Sequence, residues 1–363
     1  MHYASFFREH KVLRYYANPV TAVYSIGKYA SEHLQQPGTS ERLIVGEDAR
    51  IPATDLDREL IIMVLGETAR ADHFSLNGYA RQTNPLLETY PIINLPDMVS
   101  CATSTAISLP CMFSLEQESR FDVGDSRHVE NLLDVLSHAD VDVLWRDNNS
   151  NSKGVAVNVL EEDFRTPEKN PLCDEECRDP GMLAGLEEYI QGTSEGDVLI
   201  VLHQMGNHGP AYHKRYPEAF EVFTPVCDTN ELNECSTDEI NNAYDNAILY
   251  TDYFLAQVIE FLKNYDDEFE TAMFYVSDHG ESLGEHGMYL HGMPNFIAPE
   301  EQRHVPAILW FGDNYHIDRQ QLLARSGSSY SHDNVFHTVL GMMEIQTSIY
   351  DPALDILNGA HLP

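Results

Sequence analysis

The sequence predicts an α/β protein: a doubly wound, mostly parallel sheet with helices on both faces. Two observations carry that expectation. Five short, β-rich apolar runs punctuate the chain, several of them apolar at nearly every position, as strands covered on both faces require. Between them the apolar residues recur at spacings of three and four, the signature of a helix with one core-facing stripe. Strands that alternate with helices imply right-handed crossovers and a sheet packed on both sides.

Residues 1–36 are aromatic and mildly basic, with Phe6, Phe7, Tyr15, Tyr16 and Tyr24 beside Arg8, Lys11, Arg14 and Lys28, against Glu9 and Glu32. That composition suits a segment lying at a membrane surface after an anchor, or an ordinary helix packed on the domain. Residues 37–57 are rich in Pro, Thr, Ser and Asp and read as a linker. The expected division is therefore a juxtamembrane helical lead-in and linker over 1–57, followed by one α/β domain over 58–363.

Within the domain the expected strands are Leu60–Leu65, Val141–Trp145, Val198–Leu202, Ala272–Val276 and Val305–Phe311. Helical patterns cover Val129–Ala139, Met182–Gln191, Asp238–Asn264 and Asn334–Met343. In the long one, Ile240, Tyr244, Ala247, Ile248, Thr251, Leu255, Val258 and Leu262 form a single stripe.

The residues just past each strand are informative. The first run leads into Gly66, Glu67 and Thr68, the second into Arg146, Asp147, Asn148 and Asn149. The third leads into His203 and then Asn207 and His208, the fourth into Asp278 and His279, with His291 farther along. Open α/β sheets bind ligands at the carboxyl ends of their strands. Oxygen and nitrogen donors delivered there suit zinc.

With 22 basic and 58 acidic residues the net charge is −36. That field argues against nucleic acid as a partner and gives no general attraction to anionic membranes. An anionic substrate must meet a local patch of metal, Lys, Arg or backbone N–H that overrides it. No apolar run approaches the ~20 residues needed to span a bilayer.

The cysteines fall as three close pairs, Cys101 and Cys111, Cys173 and Cys177, Cys227 and Cys235. An even count in local pairs suggests three short-loop disulfides and an oxidising compartment, although six cysteines permit about fifteen connectivities. The spacings fit no common zinc motif. Disulfides require export, so the chain is expected to be the exported part of a longer protein whose targeting or transmembrane segment lies elsewhere.

Between the first two expected strands lies SCATSTAISLPCMFS, Ser100 to Ser114. It is dense in hydroxyls and enters a helix-like run at Thr105. A hydroxyl there serves either as a helix N-cap or as a nucleophile activated by a metal. Local sequence does not choose among Thr103, Ser104 and Thr105.

Together with VLGETARADHFSLNGYARQTNP, WRDNNSNSKGV, LHQMGNHGPAY and YVSDHGESLGEHGMYLHGMP, this loop resembles the periplasmic catalytic domain of lipid A phosphoethanolamine transferases. That group includes the mobile colistin-resistance enzymes, and it belongs to the alkaline phosphatase and sulfatase superfamily of α/β folds. SHDNVFHTVLG, Ser331 to Gly341, extends the likeness almost to the end of the chain.

The resemblance implies that Glu67, Thr105, Asp278 and His279 bind one catalytic zinc ion. Thr105 would also be the nucleophile that becomes phosphoethanolaminylated. His208 and His291 would bind the substrate phosphate or a second zinc and take part in proton transfer, and Lys153 would contact the substrate phosphate. It further implies disulfides among Cys101, Cys111, Cys173, Cys177, Cys227 and Cys235, the donor phosphatidylethanolamine, lipid A as acceptor, and a periplasmic domain tethered to the inner membrane by helices this chain lacks. His286 departs from the family pattern and is read as a loop histidine, His203 as a buried, hydrogen-bonded side chain, and Glu281 as a partner for a histidine.

Rival readings remain. A sulfatase needs a formylglycine precursor, C-x-P-x-R or S-x-P-x-R, which the hydroxyl-rich loop lacks. A glycerol-phosphate transferase, a transferase acting on another envelope glycan, a related phosphodiesterase, or a non-catalytic metal-dependent lipid-binding protein are the others.

Overall fold

The computed structural model describes residues 22–23, 25–26, 42–193 and 196–362. Most of the lead-in expected over 1–57 lies outside them. The part that is described runs against the domain: the Leu43 N–H donates to His128 O at 2.7 Å, and Arg50 and Gln346 exchange backbone bonds at 3.1 and 2.9 Å. Among the described residues no helix is long and apolar enough to cross a membrane.

The strands are β1 (Glu59–Gly66), β2 (Ile93–Val99), β3 (Asp142–Asp147), β4 (Leu160–Asp163), β5 (Val198–His203), β6 (Glu270–Ser277), β7 (Ser282–Leu283), β8 (Tyr289–Leu290), β9 (His304–Phe311) and β10 (Tyr330–Ser331). Eight form one sheet in the order β10-β2-β9-β6-β1-β5-β3-β4, while β7 and β8 make a separate hairpin. All five expected strands are present. β1, β3, β5 and β6 run parallel, as anticipated. β9 does not: it pairs antiparallel with both β6 and β2. The chain between β6 and β9 folds as the β7–β8 hairpin and short 3₁₀ turns, with no crossover helix to return it to the parallel direction.

β1 shows why both faces are apolar. Successive side chains of a strand point to opposite faces. Ile61, Met63 and Leu65 join one core with Leu132, Leu136, Val335 and Leu340. Leu60, Ile62 and Val64 join the other with Tyr244, Ile248, Leu255 and Val258. Every residue from Leu60 to Leu65 is fully buried, and each contributes roughly 1.5–3 kcal/mol of apolar transfer. Such a strand is rigid, so the residues leaving its end are fixed in space.

The long helix spans Thr237–Leu262, begun by a capping box between Ser236 and Glu239, and its whole expected stripe is buried. The helix expected over Val129–Ala139 starts later, at Leu132, because Asn131 caps it by accepting from the Leu133 N–H. The pattern over Met182–Gln191 is broken. A 3₁₀ turn at Asp179–Leu183 and a helix at Leu186–Gly192 are separated by Gly185, whose φ of +73° turns the chain left-handed. Helices at Thr105–Met112 and Val335–Met342 complete the frame around the site.

The six cysteines are joined as Cys101–Cys111, Cys173–Cys177 and Cys227–Cys235.

Candidate active site

The carboxyl ends of β1 and β6 are laced together before any functional side chain is considered. The Asp278 N–H donates to Gly66 O at 2.9 Å, and the Gln204 and Asn207 N–H groups donate to Leu65 O and Glu67 O at 3.0 Å each. Glu67, Asp278 and His279 are thereby brought side by side. All three are fully buried, and one ligand-type atom from each lies within 4.8 Å of the other two.

Thr105 stands at the first position of its helix, 9% exposed, at the open side of this cluster. Its hydroxyl donates to Glu67 Oε2 at 3.0 Å and lies 3.3 Å from His279 Nε2. The helix begins there, so its positive dipole end faces the same place. Thr103, the neighbouring candidate, is turned away and donates to Met293 O at 2.5 Å. The loop is held at several points. Cys101 is bridged to Cys111, Arg303 donates twice to Ser100 O at 3.0 and 2.6 Å, and the Cys101 N–H donates to His332 Nδ1 at 3.2 Å.

The donor set fits a divalent cation. Asp278 Oδ1 accepts from the Thr68 and His279 N–H groups at 3.1 and 2.7 Å, whereas Oδ2, fully buried, receives no hydrogen bond. Buried carboxylate oxygens are ordinarily satisfied, so this lone pair calls for a partner. His279 donates through Nδ1 to Gly280 O at 2.8 Å, which turns Nε2 and its lone pair toward Glu67 and Asp278. The electrostatics agree. Burial and the Glu67 charge push Asp278 up to about 6. Burial opposes charge on His279, but Asp278 and Glu67 outweigh it and raise the imidazole to about 10. Burial likewise opposes charge on Glu67, yet the His279 hydrogen bond, with His279, His208 and His291, holds it well below the usual carboxylate range. Two adjacent buried carboxylates thus draw positive charge to this point.

His291 and His208 complete the rim. The His291 ring lies 4.3 Å from that of His279 and 5.9 Å from that of His208, centre to centre. His291 Nδ1 meets Glu281 Oε1 at 3.1 Å, and Tyr212 donates to Glu281 Oε2 at 3.0 Å. Lys153 approaches the same edge. Its backbone has φ +54° and its ammonium donates to Ser150 O and Oγ at 2.8 and 2.5 Å. Burial lowers its pKa, against the pull of Asp147, Glu67 and Asp278. The ammonium therefore sits within electrostatic reach of the cluster while held by Ser150. His203 stays out of the site, fully buried and 2.7 Å from Asp147. His286 is an exposed loop residue with φ +53°.

Two residues at the site are given no role by the sequence. Asn149 donates to Glu67 Oε2 at 2.6 Å and to Gln204 O at 2.9 Å. His332 bridges Cys101, Ser108 and Ser277 O. Weak signals exist for both, since Asn149 lies just past a strand end and His332 lies within SHDNVFHTVLG.

Comparison with known proteins places this geometry. The sulfatase family profile matches residues 59–345, and the profile described as phosphoethanolamine transferase EptA/EptB matches residues 1–34. The chain is 46% identical over 354 residues to phosphatidylethanolamine transferase Mcr-2 of Escherichia coli, covering 94% of this chain, and 46% identical over 357 residues to Mcr-1 of the same species, covering 95%. It spans 65% of the length of each of these relatives. Among solved structures, the soluble domain of lipooligosaccharide phosphoethanolamine transferase A from Neisseria meningitidis superposes with a TM-score of 0.85 at 41% identity, covering 90% of this chain and 100% of that one. The chain belongs to the sulfatase family, in its phosphoethanolamine transferase branch, and has the alkaline phosphatase/sulfatase fold.

Proposed function

We propose that this domain transfers phosphoethanolamine from phosphatidylethanolamine to a phosphate of lipid A through a covalent intermediate on Thr105. The observation that carries the reading is the Thr105 hydroxyl, set 3.0 Å from Glu67 and 3.3 Å from His279 at the mouth of a buried, cation-seeking cluster. The relatives, named as phosphatidylethanolamine transferases, supply the substrate class.

Glu67, Thr105, Asp278 and His279 would hold one zinc ion, with His208 and His291 available to a second. Bound there, zinc supplies Lewis acidity, lowering a hydroxyl pKa and offsetting charge on phosphoryl oxygens. The protein's own groups do the rest. Asn149 and Thr68 fix the Glu67 carboxylate, and Glu67 orients Thr105. Thr105 Oγ gives up its proton along its hydrogen bond to Glu67 Oε2 and forms a bond to the donor phosphorus as the bond to diacylglycerol breaks. The released alkoxide takes a proton from His291, and the Thr105 proton returns when Oγ is freed in the second half. The acceptor phosphate oxygen then attacks that phosphorus and frees Thr105. With Nδ1 directed at Glu281, His291 presents Nε2 as the atom that gives the first proton and accepts one in the second half, with His208 beside it. Lys153, once released from Ser150, offers a cation to the phosphoryl oxygens.

The full-length protein is then an inner-membrane enzyme with this domain in the periplasm, where the three disulfides persist. Adding phosphoethanolamine to a lipid A phosphate places an ammonium group beside the anionic phosphates, which weakens attraction of polymyxins and lowers colistin susceptibility.

Intact mass after exposure to phosphatidylethanolamine vesicles tests this reading. One phosphoethanolamine adduct mapping to Thr105 is expected, absent in Thr105→Ala. An adduct of equal yield in Thr105→Ala removes the nucleophile assignment. Adduct formation without transfer to lipid A redirects the acceptor to another envelope glycan.

A further inference from the structure

A second group of acids gathers at the opposite end of the sheet. Glu59 and Glu270 are the first residues of β1 and β6 and stand opposite one another in register. Glu344 joins them just past the Val335–Met342 helix, so that one oxygen from each of the three lies within 4.8 Å of the other two. Glu344 holds a left-handed backbone, φ +49°, uncommon for a side chain of this kind. Seven residues lie between Glu59 and Glu67 along β1, which puts this cluster on the order of 25 Å from Thr105.

Clustered acids alone are ordinary. The independent observation is Glu59, 1% exposed, neither of whose carboxylate oxygens meets an N–H or hydroxyl donor; the side chain it faces is the Asp197 carboxyl group. Its backbone N–H donates to Asp197 Oδ1 at 3.2 Å, and Asp197 Oδ2 is likewise buried without a donor. The basic groups nearby meet the other two acids or the backbone, and none of them donates to Glu59. His316 meets Glu270 at 2.5 Å, His361 lies 3.5 Å from Glu344, and Arg58 donates to Gly196 O at 3.0 and 2.7 Å. A cleft of about 410 Å³ lined by Asp57, Arg58, Glu270 and His316 opens beside the group and gives an ion a route in.

We propose that Glu59, Glu270 and Glu344 hold a hard divalent cation, of which Ca²⁺ is the best match, at the amino ends of β1 and β6. The donors are carboxylate oxygens on separate segments, the ligand type Ca²⁺ takes and zinc does not require. The ion ties the start of β1 to the start of β6 and to the chain after the Val335–Met342 helix. It acts as a structural clamp, with no part in the transfer chemistry. The rival occupant is a proton shared between Glu59 and Asp197.

The test uses the full chain carrying Asp278→Asn, which disables the Glu67 cluster, after chelator treatment. Ca²⁺, Mg²⁺ and Zn²⁺ are titrated separately by calorimetry and by thermal unfolding. Binding of ~1 Ca²⁺ per chain is expected, with an unfolding midpoint that rises with its concentration. Glu59→Gln and, separately, the less buried Glu344→Gln should each weaken that binding by about tenfold or more. Three results overturn the site: no Ca²⁺ or Mg²⁺ bound at up to roughly 1 mM, the weak end of protein calcium sites; unchanged affinity in both glutamine variants; or binding of Zn²⁺ alone. A chain that binds no cation but gains stability in Glu59→Gln has a proton there instead.

Discussion

The Asn149 side-chain amide donates to Glu67 Oε2 at 2.6 Å, the same oxygen that accepts the Thr105 hydroxyl at 3.0 Å. Asn149 is itself fixed by Gln204 O at 2.9 Å, so β3 and β5 together decide where a carboxylate leaving β1 can point. Asn149→Ala should leave the sheet intact while freeing Glu67 to rotate. Partners of this kind affect metal affinity or activity by roughly 10–100-fold when removed. Zinc retained after dialysis and the rate of Thr105 adduct formation should both fall, with the unfolding midpoint nearly unchanged. Wild-type rates in Asn149→Ala would show that Glu67 is positioned without it.

The Cys101–Cys111 bridge closes the loop that carries Thr105 onto its helix. Its removal acts on two links at once. Opening a short loop costs roughly 2–3 kcal/mol of stability. Displacing the reacting oxygen by about 1 Å can cost 10²-fold in rate. Cys101→Ser with Cys111→Ser should therefore lose adduct formation at temperatures where circular dichroism still reports a folded domain. Parallel loss of fold and rate on heating would assign the bridge to stability alone.

His332 should govern part of the acid sensitivity. Burial presses its pKa down to about 3; its Nε2–H bond to Ser277 O favours the charged form but is outweighed. An unfolded histidine takes a proton near pH 6.5. Between those values the unfolded chain binds the proton that the folded chain refuses. Stability from this residue is complete above about pH 6.5 and is lost as pH falls, by up to about 1.4 kcal/mol per unit. Urea midpoints at neutral and mildly acidic pH should drop steeply in the wild type. In His332→Asn they should start lower, for want of the Ser277 bond, and fall less. Equal slopes in the two proteins would place the acid-labile group elsewhere.

These residues also mark where sequence reasoning succeeds and where it stops. Glu67, Asp278 and His279 are legible because each ends an apolar run, and a parallel sheet delivers such ends to one edge. β2 escapes detection because Pro96 and Asp97 interrupt its apolar pattern, and the strand tolerates them only through an irregularity between Leu95 and Met98. β4, Leu-Glu-Glu-Asp at the sheet edge, is acidic and mostly exposed, so it carries no apolar signal. The direction of β9 is not readable either, since an apolar run looks alike in either sense. Asn149 and His332 owe their roles to contacts 82 and 231 residues away along the chain, to Glu67 and to Cys101, and no local pattern encodes those.

Gly280 is the residue whose size the site tolerates least. Its N–H donates to Gln302 O at 3.0 Å, and the next N–H, of Glu281, donates to Glu301 O at 2.9 Å, so two backbones run in close contact beside His279. A Cβ on Gly280 would fall 2.1 Å from Glu301 O, a backbone atom that cannot swing aside. Gly280 O is also the acceptor that sets the His279 tautomer, at 2.8 Å. Gly280→Ala should thus destabilise by about 1–3 kcal/mol, as overpacking does, and lower zinc retention more than that loss of stability explains. Gly192, with open space around its Cβ position, provides the control. Gly192→Ala should change the denaturation midpoint by less than about 0.5 kcal/mol and leave metal content alone. If Gly280→Ala instead matches Gly192→Ala on both measurements, the backbone segments at 280–281 and 301–302 separate more easily than their contacts imply, and the His279 orientation must have another source.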